Sequence, residues 1–187
     1  MALSIERLTT RELNADQRTA MLTLCAEAYE EDLSAYLTDI GEGEHLLGWQ
    51  DDVLVSHLMW VERLLHRDRR SASLRPPFRS AYIELVATAP AQQGRGHASA
   101  LMRAAAVAIS DFDIGALSPS DEQFYARLGW ETWRGPLFVR PQPDEAGQAV
   151  WEATPDEEIM ILRLPATPSL LDLRAPLAVD WRPGEVW

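Results

Sequence analysis

Cysteine is nearly absent from this chain. Cys25 stands alone among 187 residues, so no internal disulfide can staple the fold. It lies among Leu22, Leu24 and Ala26 and reads as buried filler rather than a nucleophile. Long apolar runs are missing, and so is a leader in which charge precedes an apolar stretch, which leads us to expect a cytoplasmic protein. Cations are scarce: 17 Lys and Arg face 29 Asp and Glu, a formal net charge of −12. A nucleic-acid surface must displace counterions with a basic patch, so that class of partner is excluded. There is no Gly-Lys-Ser/Thr run for a P-loop, no third glycine and downstream acid for a dinucleotide fingerprint, and no Gly-x-Ser-x-Gly elbow. His45, His57 and His66 share no metal-ligand spacing, and no metal site is expected.

What is present fits one domain over 1–187, large enough to bury roughly two-thirds of its unfolded surface. Leu3 to Leu8 reads as a strand, and Asn14 caps a helix whose inner face holds Met21, Leu22, Leu24, Cys25 and Ala28. His45 to Trp49 and Val53 to Leu65 predict a hairpin around Gln50-Asp51-Asp52. A basic, Ser-rich loop from Arg67 to Arg79 precedes a strand from Ala81 to Thr88. Strict alternation there would put Glu84 on one face with Tyr82 and Val86. A helix from Ser99 to Ile109, a strand from Phe112 to Leu117 and a short helix from Ser120 to Leu128 follow. Two strands, Trp130 to Val139 and Ile159 to Leu164, are separated by an acidic loop, and a non-helical tail closes the chain. This order predicts a mixed sheet in an α+β or α/β layered fold.

Between the strand ending near Pro90 and the helix starting near Ser99 lies Gln93-Gly94-Arg95-Gly96-His97-Ala98. Glycines at a helix mouth let backbone N–H groups approach an anion, with the positive end of the helix dipole behind them. Taken alone, such a pair is also an ordinary strand-to-helix connection. The run resembles the Gln/Arg-x-x-Gly-x-Gly/Ala coenzyme A pyrophosphate loop of the GNAT acetyltransferase superfamily. That resemblance implies a mostly antiparallel mixed sheet flanked by helices, and acetyl-CoA as co-substrate.

Acetyl transfer from a thioester to an amine needs a neutral nucleophile, a stabilised oxyanion and a proton for the departing sulfur. Glu84, in an apolar strand, is the candidate base, its apolar neighbours expected to raise its pKa. Phe124-Tyr125-Ala126-Arg127-Leu128-Gly129-Trp130 resembles the F-Y-x-x-x-G-F/W segment of GNAT enzymes, which implies Tyr125 as the proton donor. By the same resemblance the backbone N–H near Val86 steadies the oxyanion, and Val86, Ala87, Thr88 and Gln93 to Ala98 (Gln93, Gly94, Arg95, Gly96, His97, Ala98) hold coenzyme A.

The terminal run Asp180-Trp181-Arg182-Pro183-Gly184-Glu185-Val186-Trp187 resembles the D-W-R-x-G-D/E-V-W ending of the aminoglycoside 2'-N-acetyltransferases. The likeness extends to Ala28–Asp32, Tyr82-Ile83-Glu84, Gly115–Ser118 and Thr154-Pro155-Asp156. It implies that Asp32, Glu84, Leu85, Ser118, Asp156, Glu157 and the terminal carboxylate of Trp187 meet a polyammonium sugar, with residues 165–187 a tail that closes the acceptor site. The Trp187 indole would add a flat face for cations and sugars, and antibiotic resistance would be the consequence. Leu85 replaces an expected glycine, the interval from Ser118 to Tyr125 is shorter and the Arg67–Arg79 loop longer and more basic, departures that bear on acceptor range. Alternative acceptors are another small amine, a less cationic aminoglycoside such as kasugamycin, or a protein N-terminus. A non-enzymatic acyl-CoA- or drug-binding protein is the reading from a different class, and a homodimer is the expected assembly if the chain has one.

Overall fold

A computed structural model describes residues 2–67, 76–141, 150–184 and 186–187. The middle of the basic loop (68–75), part of the acidic loop (142–149) and Glu185 lie outside the described residues. The chain divides into two compact units, Met1–Val61 with Ile83–Ala108, and Glu62–Tyr82 with Ile109–Trp187.

In the first unit β1 (Ser4–Thr9) pairs antiparallel with β2 (Glu44–Gln50), and β2 with β3 (Val53–His66). Asp51 and Asp52 close this hairpin with φ of 52° and 62°, the left-handed geometry that matches strand twist and that short Asp side chains tolerate. α1 (Ala15–Tyr29) starts in a capping box: Asn14 accepts from the Gln17 N–H while the Gln17 side chain accepts from the Asn14 N–H. Met21, Leu24 and Cys25 are its buried face, as the i, i+3, i+4 spacing predicts. α2 (Ser34–Ile40) went unpredicted because it is short and buries none of its residues, leaving no apolar stripe to read. β4 (Phe78–Thr88) begins earlier than expected, and its second half lies in this unit. A 3₁₀ turn (Pro90–Gln92) then leads into α3 (His97–Ala108), which buries His97, Leu101, Met102 and Ala105.

In the second unit the first half of β4 pairs in parallel with β5 (Ile114–Leu117). β5 pairs antiparallel with β9 (Met160–Arg163), and β9 with β6 (Glu131–Thr132). α4 (Glu122–Ala126) is capped by Asp121 and followed by Gly129, which takes a φ of 90°. Farther along the same unit, β10 (Leu177–Asp180) lies antiparallel to the end of β3 and parallel to β7 (Leu137–Arg140), and β7 carries β8 (Glu152–Ala153).

Two expectations need correction here. The single strand read over Trp130–Val139 is broken, because Arg134 and Gly135 both donate to the Leu173 carbonyl and the Trp133 indole donates to the Ala175 carbonyl. Those bonds tie the break to the tail. The tail is non-helical, as read, yet it contributes a buried sheet strand at Leu177–Val179. The described strand pairings are antiparallel except β4–β5 and β10–β7, so the sheet is mixed and mostly antiparallel, in the α+β class expected. No helix among the described residues is long and apolar enough to cross a membrane.

Candidate active site

Glu84 sits mid-strand in β4 and is buried, with 7% of its surface exposed. A carboxylate there needs a polar partner. The Tyr36 hydroxyl, from the unpredicted α2, donates to its Oε2 at 2.9 Å. The next residue, Leu85, has a φ of 51°, in the left-handed region that side chains with a Cβ avoid. The two-residue pleat expected to relate Tyr82, Glu84 and Val86 is therefore broken at this point. The β4–β5 ladder pairs Ser80, Ala81 and Tyr82 and, among the described residues, is not continued along Ile83–Thr88. Such strain persists where the surroundings over-determine it, and it clusters at functional sites.

The strand beyond Leu85 is held from the β3 side. Ser56 Oγ donates to the Ala87 carbonyl at 2.8 Å and lies 2.9 Å from Thr88 Oγ1, while Tyr29 donates to the Val86 carbonyl. Gln93 Nε2 reaches back to the Thr88 carbonyl at 3.4 Å, tying the glycine loop to the strand that precedes it. Gln93, Gly94, Arg95 and Gly96 are exposed, and His97 turns inward as the first residue of α3. Gly94 and Gly96 have φ of 72° and 84°. A Cβ built on either meets nothing within 4 Å, so no protein atom fills the space they leave. A 12-residue helix brings its unpaired first-turn N–H groups to the same place. This is an open helix mouth whose N–H groups and dipole favour an anion.

Asp32, in the same unit, is exposed and accepts from the Ser34 N–H at 2.9 Å and from its hydroxyl at 2.6 Å. These bonds hold its carboxyl below the ordinary value. Asp32 thus holds Ser34, the first residue of the helix that carries Tyr36.

The remaining predicted residues belong to the second unit. Tyr125 is buried at the end of α4 against Phe124 and Trp130. Burial raises its phenol above the ordinary value, partly opposed by a hydrogen bond with Ser120, so the hydroxyl keeps its proton at neutral pH. Ser118 is exposed just past β5, and Asp156 and Glu157 are exposed in the turn after β8. Trp187 corrects the platform expectation: it is 2% exposed and its indole N–H donates to Thr154 Oγ1 at 2.9 Å. Its ring is an anchor, and it brings the chain end to the segment that carries Asp156 and Glu157.

Four residues play parts that escaped the sequence reading. Tyr36 was hidden with α2. Arg63, in β3, donates from its two terminal nitrogens to the Val186 and Asp180 carbonyls and lies 5.2 Å from the Tyr82 ring centre, a role no local pattern announces. His45 and His57 lie 3.0 Å apart, Nδ1 to Nε2. In the hairpin register His45 faces Met59 and Leu47 faces His57, so the two histidines are diagonal neighbours on one face, and the predicted hairpin was the signal that could have found them.

The Acetyltransferase (GNAT) domain model matches residues 9–133. The aminoglycoside 2'-N-acetyltransferase of Mycolicibacterium fortuitum is 33% identical, over 95% of this chain and 89% of that protein. Among solved structures, the chain superimposes on the histone acetyltransferase HPA2 and related acetyltransferase from Corynebacterium glutamicum ATCC 13032 with a TM-score of 0.58 at 18% identity, covering 91% of this chain and 100% of that one. A conserved protein of unknown function from Enterococcus faecalis V583 gives a TM-score of 0.57 at 17% identity, covering 73% of this chain and 34% of that longer one. At those identities the two structures speak for the fold, whereas the domain match and the Mycolicibacterium relative speak for descent. The chain belongs to the GNAT N-acetyltransferases, in the family of its aminoglycoside 2'-N-acetyltransferase relative.

Proposed function

We propose that this N-acetyltransferase uses acetyl-CoA to acetylate an amine of an aminoglycoside antibiotic, at the 2'-amino group, and so confers resistance. The observation that carries the chemistry is the buried Glu84 carboxylate, held by Tyr36 one residue before the break in β4 and a few residues before the exposed glycine cradle. The acceptor class is supported by the 33% identical relative and by an excess of acids that suits a polycation.

Bound acetyl-CoA supplies the acetyl group as an activated thioester. Gln93 to Ala98 would hold its pyrophosphate through backbone N–H groups, with Val86, Ala87 and Thr88 alongside its pantetheine arm. Glu84 takes the ammonium proton from the acceptor, directly or through water, leaving the amine lone pair able to attack. The Val86 N–H steadies the charge that develops on the acetyl oxygen. Tyr125, kept neutral by burial, gives its proton to the departing sulfur. Asp32, Ser118, Asp156 and Glu157 offer carboxylates and a hydroxyl to the sugar's amines and hydroxyls, and the tail through Trp187 orders the Asp156 and Glu157 segment on the acceptor side.

The test is thiol release from acetyl-CoA across a panel of 2'-amino and 2'-hydroxy aminoglycosides, kasugamycin and simple amines, with mass spectrometry of the products. Turnover confined to acceptors with a 2'-amine, each gaining one acetyl group there, is expected. Turnover on simple amines with none on any aminoglycoside would replace this acceptor assignment with the small-amine one.

A further inference from the structure

The only described residue inside a strand with a left-handed φ is Leu85, and its carbonyl does not point to solvent. His57 Nδ1 lies 3.2 Å from it. A carbonyl oxygen only accepts, so the proton of this neutral imidazole must sit on Nδ1, leaving Nε2 as an acceptor. Nε2 lies 3.0 Å from His45 Nδ1, which must then carry its own proton and donate. His45 Nε2 is in turn an acceptor, 3.0 Å from the Thr10 hydroxyl, and that oxygen accepts from the Gly43 N–H at 2.9 Å. One direction of donation thus runs from His45 through His57 to the Leu85 carbonyl, and the one proton of the Thr10 hydroxyl is shared between His45 Nε2 and the Gly43 carbonyl 3.1 Å away.

Both imidazoles are fully buried, at 0% exposure. Burial lowers the His45 pKa to about 4 and that of His57 to about 3, so the chain is neutral at working pH. Cys25 Sγ lies 3.6 Å from His57 Nδ1. Burial pushes its pKa up to about 12, so it stays a thiol and brings no charge to the ring. Arg18 is the cation acting on His45.

The Leu85 carbonyl and the Val86 N–H belong to one planar trans peptide and point in opposite directions. Fixing the carbonyl end fixes the amide end, and polarising the carbonyl strengthens the N–H as a donor. We infer that His57 is a positioning residue for acetyl transfer: backed by His45, it holds the Leu85–Val86 peptide so that the Val86 N–H is aimed at the thioester oxygen. This rests on the oxyanion role proposed above for Val86. It also gives the strained Leu85 a physical cause, since an acceptor locked against a ring from β3 cannot swing back into the regular pleat.

The experiment compares His57→Asn, whose amide nitrogen takes the place of Nδ1, with His57→Leu, which fills similar space without a donor. Three quantities are read: kcat and KM with an acceptor that turns over, melting temperature, and the infrared carbonyl band of isotope-labelled acetyl-CoA bound without acceptor. His57→Leu is expected to lower kcat roughly 10–100-fold with little change in the acetyl-CoA KM, and to shrink the red shift of the bound carbonyl. His57→Asn restores most of both, although the smaller side chain costs it as much melting temperature. Ring-nitrogen NMR of the ligand-free wild type shows the Nδ1–H tautomer at His57, a readout that does not depend on either variant folding. An Nε2–H tautomer, or equal kcat loss in the two variants, overturns the positioning role. A wild-type enzyme that binds acetyl-CoA with no carbonyl shift shows instead that the oxyanion role of Val86 is the part that fails.

Discussion

Each unit pins down one irregular stretch of backbone, and the two do it with opposite electrostatics. In the first, the left-handed Leu85 is gripped by a neutral chain of two fully buried histidines backed by a half-buried threonine. In the second, the tail is gripped by charge: Arg63 reaches the carbonyls of Asp180 and Val186, and the Asp180 carboxylate accepts from Arg140 Nε at 2.6 Å and meets His66 Nε2 at 3.1 Å. A neutral chain has direction and can hold one peptide in one orientation. An arginine clamp has reach, and it ties together carbonyls that lie far apart in sequence. The first suits a strand that must present one N–H to a reaction. The second suits a chain end that must be kept in place.

The largest effect expected of any change is in the first unit. Gly96→Asp places a carboxylate where the cradle is open and where φ is 84°, and should abolish acetyl-CoA binding in calorimetry, a loss of at least about 100-fold. Wild-type affinity in a folded variant would remove the cradle from the cofactor site. In the second unit, Trp187→Ala removes a nearly fully buried indole and its bond to Thr154. It should cost about 3–5 kcal/mol in urea denaturation and raise the acceptor KM while sparing acetyl-CoA affinity. Arg63→Ala should cost less, about 2–3 kcal/mol, and Arg63→Lys should recover only part of it, because an ammonium does not present the guanidinium fork. Equal stability of the two Arg63 variants would deny the clamp.

The finest contrast is in pH. His45 and His57 have folded pKa values near 4 and 3, below the unfolded value of about 6.5. The unfolded chain binds those protons first, so stability is full above about pH 6.5 and falls as pH drops toward 4 and 3. For Asp180 burial alone would raise the carboxyl, but His66 and Arg140 hold it below the ordinary value. Its contribution is present above the unfolded carboxylate pKa and is lost below it. Denaturation curves against pH should therefore show His57→Asn flattening the limb that begins near pH 6.5, by about 2–4 kcal/mol between neutral pH and pH 4. Asp180→Asn should alter only the most acid end, and by less, because solvent screens that half-exposed group. Identical limbs in the two variants would erase the distinction between the networks.

The same contrast explains what could be read from the sequence. The parts of the first unit proposed to bear chemistry are contiguous: Glu84 to Thr88, the glycine loop and α3 follow one another, and spacing within such a run is visible in a sequence. The break at Leu85 was not, since a leucine gives no sign of a positive φ, and the cause lies on β3 in His57. Tyr36 was missed because its helix shows no apolar stripe. In the second unit, Tyr125 and the terminal run were legible as motifs. Their setting was not, because β10 finds its partners in β3 and β7, pairings of long sequence separation that no local pattern encodes. Trp187 stood out in the sequence, yet whether an aromatic residue is a platform or an anchor depends on its burial, and burial is a property of the folded chain.

The measurement that bears most directly on the account is the pH–rate profile of Glu84→Gln against the wild type, with a 2'-amino aminoglycoside under saturating acetyl-CoA. The amide keeps the shape of the side chain and can still meet Tyr36, but it cannot take a proton. The account predicts a rate loss of roughly 100-fold or more where the acceptor is an ammonium, shrinking as pH rises toward the amine's own pKa. A profile parallel to the wild type at equal rates would contradict it and leave Glu84 a structural residue of β4.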